Sequence, residues 1–83
     1  MKLTLKLFAT LGDYLPPGTL GNQTELEVAE QDSVGAILAR LNLPPKLVHL
    51  VLVNGVYVPP AARSERRLQP GDQLAVWPPI AGG

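Results

Sequence analysis

His49-Leu50-Val51-Leu52-Val53-Asn54-Gly55-Val56-Tyr57-Val58 sets Asn-Gly between two apolar runs. Both central positions of a type I′ turn need φ > 0, which Asn and Gly tolerate, so this segment predicts a two-residue β-hairpin. With that turn Val53 faces Val56, Leu52 faces Tyr57 and Val51 faces Val58. Val51, Val53, Val56 and Val58 then share one face, and Leu52 and Tyr57 the other. Pro59-Pro60 ends the second strand of the hairpin.

Upstream, Asp32 or Ser33 can cap a helix in which Val34, Ile37, Leu38 and Leu41 recur at i, i+3, i+4 and i+7, with Pro44-Pro45 as its expected stop. Gly35 weakens that helix by up to ~1 kcal/mol against Ala, so a short helix here must be held by packing on a sheet. At the N-terminus Leu3, Leu5, Leu7 and Ala9 alternate with Lys2, Thr4, Lys6, Phe8 and Thr10, the pattern of a half-buried strand. Residues 12–22, with Pro16-Pro17-Gly18 and Gly21, read as a loop with a helical turn at Leu11–Leu15. Glu25-Leu26-Glu27-Val28 alternates again, with Leu26 and Val28 inward. Downstream, Ala61 to Gln69 is polar apart from one anchoring side chain, Leu68. Pro70-Gly71 suits the centre of a type II turn, and Gln73 to Trp77 forms the last strand.

The order is strand, strand, helix, strand, strand, strand. It predicts an α+β domain: a mixed sheet of four or five strands with one helix over one face and the other face in water. No internal repeat or linker divides the chain, so residues 1–83 are expected to form one domain, with 78–83 as a flexible C-terminal tail. Seven Lys and Arg balance seven Asp and Glu. A neutral chain lacks the electrostatic footprint that nucleic acid or an anionic membrane requires, so a protein partner is expected instead. With no cysteine, disulfides, zinc thiolate sites and cysteine nucleophiles are excluded. The N-terminus is strand-like and no apolar run approaches ~18 residues. The expected compartment is the cytoplasm, which makes the sequon at Asn22-Gln23-Thr24 a coincidence.

Phe8 lies on the lysine side of the first strand, and in the last strand Ala75 and Trp77 alternate with inward Leu74 and Val76. Three of the four aromatics, Phe8, Tyr57 and Trp77, thus fall with Leu52 on the face away from the helix. Together they would form an exposed apolar patch of the kind that marks contact surfaces, with Tyr and Trp enriched at binding hot spots.

Catalytic chemistry is sparse. His49 is the only histidine and has no ligand cluster around it, so it reads as structural, with no metal site. No phosphate-cradling glycine motif occurs. Arg63, Arg66 and Arg67 form a local basic cluster, read first as a solvated loop. The carboxylates fall in caps, turns and strand faces. The chain ends Trp77-Pro78-Pro79-Ile80-Ala81-Gly82-Gly83. At ~7% glycine usage, two closing glycines arise by chance in roughly 0.5% of chains. Without Cβ atoms they form the least hindered acyl group a polypeptide offers, able to thread a channel and approach a nucleotide phosphate. The Gly83 carboxylate is therefore the candidate working group, open to activation as an acyl-adenylate.

Leu7-Phe8-Ala9, the segment Leu68-Gln69-Pro70-Gly71-Asp72-Gln73-Leu74 and the ending from Trp77 to Gly83 together resemble the MoaD/ThiS family of sulfur carriers. The resemblance spans essentially the whole chain and implies a ubiquitin-like β-grasp fold. The tail and the length are most similar to the molybdopterin synthase small subunits within it. The resemblance implies a carrier and not an enzyme: a partner adenylating enzyme activates Gly83 with ATP, and a sulfur donor makes a thiocarboxylate. The tail, residues Pro78, Pro79, Ile80, Ala81 and Gly82, then carries Gly83 into a second partner, the large synthase subunit or a thiazole synthase. No cofactor is bound by the carrier itself. The resemblance also implies an apolar docking surface beside the tail, whose positions Phe8, Tyr57 and Trp77 match, whereas Gly12 stands where family members often carry a basic residue. Carriers for thiamine thiazole or a tungsten pterin, a ubiquitin-like modifier conjugated through Gly83, and a binding domain with an inert tail remain open at this point.

Overall fold

The hairpin turn forms as its residues dictate. In the computed structural model, which describes residues 1–19 and 21–79, Asn54 and Gly55 take φ of 51° and 82°, the positive pair of a type I′ turn. Leu52 pairs with Tyr57 and Val53 with Val56, and the Val58 N–H donates to Val51 at 2.9 Å. The Asn54 side chain also ties the turn to the start of the last strand: its Nδ2 donates to Asp72 Oδ1 and its Oδ1 accepts from the Gln73 N–H, both at 2.9 Å.

The strands are β1 (Lys2–Leu7), β2 (Gln23–Glu27), β3 (Leu50–Val53), β4 (Val56–Tyr57) and β5 (Gln73–Trp77), with helix α1 (Val34–Arg40) between β2 and β3. They form one mixed sheet in the order β2-β1-β5-β3-β4. β1 and β5 run parallel at its centre, with Leu5 beside Leu74 and Leu7 beside Val76; every other pairing is antiparallel. The inward residues of β1, β3 and β5 are buried together with Val34, Ile37, Leu38 and Val58 in one core. Leu68 anchors the polar connection at 2% exposure, as its isolation in the sequence implied. Gly71, at φ 84°, completes the turn in which the Asp72 N–H donates to Gln69.

Of the two candidate caps, Ser33 is the one used: its Oγ accepts from the Ala36 N–H at 3.1 Å. Such a cap contributes about 0.5–2 kcal/mol, a large share for a helix of two turns. Asp32 instead accepts from the Ala29 N–H.

Three expectations are corrected. The helix does not run to the prolines: Leu41 is its C-cap, half-buried against the core, and Asn42 turns left-handed at φ 58°. Val56 is not under the helix but 65% exposed. It belongs to a two-residue edge strand at the hairpin tip, with a neighbouring strand on one side only. The turn predicted at Leu11–Leu15 is a 3-10 helix over Ala9–Tyr14. It begins on left-handed Ala9 (φ 53°) and buries Leu11. Among the described residues no helix is long and apolar enough to cross a membrane.

Candidate functional site

Register assembles the face opposite the core. Lys6 lies beside Ala75, Ala75 beside Leu52 and Leu52 beside Tyr57, one row across four strands. The next row is Phe8, Trp77 and Leu50. Leu50 is Trp77's antiparallel partner, and the Phe8 N–H extends the parallel ladder by donating to Val76 at 3.1 Å. The Phe8 and Trp77 rings stack with centroids 4.1 Å apart and planes 3° from parallel.

Phe8, Leu52 and Trp77 are half-buried, and Tyr57 is 52% exposed. All four sequence candidates thus share one face, Phe8 with Trp77 by contact and Leu52 with Tyr57 by cross-strand pairing. Leu50 was missed, although its place two residues before Leu52 carries the same period-two signal. Toward β2 the face becomes polar, with Lys2 opposite Glu27, Thr4 opposite Glu25 and Lys6 opposite Gln23. The apolar half therefore covers β5, β3 and β4 and has a charged border along β1 and β2.

The sheet delivers the chain's end to this apolar half. β5 is the central strand and ends at Trp77. Pro78 is buried and Pro79 exposed. Of the tail expected over 78–83, Ile80, Ala81, Gly82 and Gly83, the last with the expected reactive carboxylate, lie outside the described residues. Gly12 sits in the 3-10 helix that follows Phe8, and a Cβ there would meet nothing within 4 Å.

The basic cluster divides. Arg66 and Arg67 are exposed and donate to the carbonyls of Arg67 and Gln31. Arg63 is not a solvated loop residue: its guanidinium donates to the carbonyls of Val58, Val48 and His49. His49 has an exposed side chain, and its backbone N–H donates to the Trp77 carbonyl at 3.0 Å. Among the described residues no cluster of His, Asp and Glu could hold a metal ion.

A comparison with curated proteins gives no match. Among solved structures the chain is similar to the HVO 2177 protein of Haloferax volcanii, with 29% identity, TM-score 0.77, and coverage of 100% of this chain and 87% of that one. It is similar to SAMP1 of the same organism over 100% of both chains, with 24% identity and TM-score 0.70. Subunit 1 and 2 of the molybdopterin-converting factor of Helicobacter pylori, solved as a complex, provide a third likeness: 16% identity, TM-score 0.62 and 100% of both chains. At such identities the last two speak for the fold alone, which is the ubiquitin-like β-grasp. The model of the ThiS family matches residues 5–83, and the chain belongs to that family.

Proposed function

We propose that this chain is a sulfur carrier whose C-terminal Gly83 is adenylated and converted to a thiocarboxylate, serving molybdopterin biosynthesis. The observation that carries the reading is the shared location of surface and tail. Trp77 is both a member of the stacked aromatic pair and the last residue of the central strand. A partner that grips the apolar half of the sheet therefore receives the tail at a fixed point. Tyr and Trp supply rigid contact area at such interfaces, and the polar border restricts orientation.

The chemistry divides between chain and partner. The carrier supplies an acyl carbon without side chains near it and binds no cofactor; the adenylating enzyme supplies ATP. A Gly83 carboxylate oxygen attacks the α-phosphorus of ATP and pyrophosphate leaves. A sulfide-level donor then attacks the acyl carbon and AMP leaves, so one carboxylate oxygen departs with AMP and sulfur takes its place. The loaded tail next enters the large subunit of the synthase. The likeness to a subunit 1 solved together with its subunit 2 supports a partner of that kind. Likeness to small archaeal modifier protein 1 supports a second reading, a modifier joined to other proteins through Gly83. Both share the adenylate and differ in the nucleophile.

Intact-mass measurement after incubation with ATP, the cognate adenylating enzyme and a sulfur donor tests this. The expected product has one oxygen replaced by sulfur, and removing Gly83 or extending the chain beyond it abolishes the reaction without unfolding the domain. An unchanged mass with a demonstrably active partner refutes the carrier reading. A mass increased by a second protein joined at Gly83 selects the modifier.

A further inference from the structure

Arg63 ties three backbone carbonyls that no strand ladder joins. Its Nε donates to Val58 at 3.3 Å, Nη1 to Val48 at 3.5 Å and Nη2 to His49 at 3.3 Å. Its own backbone is held from both directions: its N–H donates to Pro60, and its carbonyl accepts from Gly35 in α1 at 2.8 Å. Among the described residues Arg63 makes no ion pair, since the two salt bridges are Met1–Glu27 and Arg40–Asp32. The guanidinium thus acts as a fork with fixed donor directions, something one ammonium cannot reproduce.

The segment it holds leads to the tail. The His49 N–H donates to the Trp77 carbonyl at 3.0 Å. Pro78 and Pro79 have no N–H, so through residue 79 the chain can donate no further backbone bond to the sheet. Trp77's carbonyl is consequently an anchor at the exit point, and its partner is the residue whose own carbonyl Arg63 grips. Side-chain packing holds the segment on one side only, through half-buried Leu47 and Val48 against the core. On the other side Val48 and Arg63, with Leu38, Ala39, Leu43 and Pro45, border an open groove of about 250 Å³, so the Arg63 hydrogen bonds are what tie this edge to the loop.

We propose that Arg63 is a positioning residue for the reacting tail: through Val48 and His49 it fixes where the chain leaves the sheet at Trp77–Pro78. The inference rests on the carrier reading. The surface proposed for docking comprises Phe8, Leu50, Leu52, Tyr57 and Trp77, and the hydrogen bonds of the Arg63 side chain go to none of them. Loss of the fork therefore acts on the geometry of the bound carboxylate and not on capture of the carrier.

The test compares Arg63→Met and Arg63→Lys with wild type in two measurements. In the isolated protein, amide hydrogen exchange at His49 is expected to quicken in R63M while the β1–β5 ladder keeps its protection. With the cognate adenylating enzyme, kcat for adenylation of R63M is expected to fall between about tenfold and a hundredfold, the scale of an ångström-level misplacement. KM for the carrier stays unchanged, as expected when only transition-state geometry is lost. R63K, retaining the charge and one donor direction, falls between the two. If R63M does not fold, R63K carries the same comparison. Unchanged His49 exchange overturns the clamp, and unchanged kcat overturns its role. A rise in KM alone makes Arg63 a docking residue and also overturns the proposal. Failure of wild type itself to be adenylated refutes the carrier reading and this role with it, while the exchange result still decides the clamp.

Discussion

The Phe8–Trp77 stack can be dissected by replacing each ring with Ala, singly and together, and measuring the three losses of stability by urea unfolding. Both rings are half-buried, so each truncation forfeits roughly half of the ~1.5–3 kcal/mol that full burial of a large apolar side chain is worth, or about 1 kcal/mol. Direct coupling between aromatic rings adds about 0.5–1.5 kcal/mol. Here the centroids are 4.1 Å apart and the planes 3° from parallel, a stacked pair in direct contact. The coupling should therefore fall inside that range, at about 1 kcal/mol. Leu5, fully buried between the ladders to Thr24 and Leu74, is the comparison: Leu5→Ala should cost about 2–5 kcal/mol because its neighbours cannot collapse into the void. Single-ring losses as large as that of Leu5→Ala would make the pair part of the core and refute the reasoning that leaves this face for a partner. A coupling indistinguishable from zero, within the ~0.3–0.5 kcal/mol of ordinary additivity, would mean that the rings do not stack in solution.

Leu5→Ala also tests the fold on its own, and a urea midpoint implying a loss below about 0.5 kcal/mol would mean that the inward face of β1 is misassigned. Trp77→Glu should leave the domain folded, since the side chain points away from the core. It should weaken binding to the adenylating partner by about 2 kcal/mol or more, the loss expected of a hot-spot aromatic; calorimetric titration showing undiminished affinity would remove Trp77 from the docking surface.

What the sequence made legible was the part written in neighbouring residues. Asn54-Gly55 specified its turn and hence the pairing of Leu52 with Tyr57, because conformational preference at two adjacent positions decides the geometry. Period two placed Phe8, Leu52, Tyr57 and Trp77 on the outer face without any knowledge of which strands adjoin. Periodicity reports a face and not a neighbour, so the contact of Phe8 with Trp77 required the parallel β1–β5 pairing, which joins residues from opposite ends of the chain. Arg63 escaped for a related reason. An arginine that grips carbonyls five, fourteen and fifteen residues away has the same local sequence context as its solvated neighbours Arg66 and Arg67. Val56 failed because inward orientation implies burial only where another element lies over the strand.

The pairing of β1 with β5 also bears on how the protein is made. The first strand to emerge during synthesis has as its central neighbour the strand spanning residues 73–77. A chain halted before Gln73 holds β1 without one of its two partners and β3 without β5, and such long-range closure must precede the contacts that reward it. The domain therefore cannot complete its sheet until translation has passed Trp77. An unfinished chain therefore has no ordered outer face, because Leu50, Leu52, Ala75 and Trp77 are brought together only by the β3–β5 pairing.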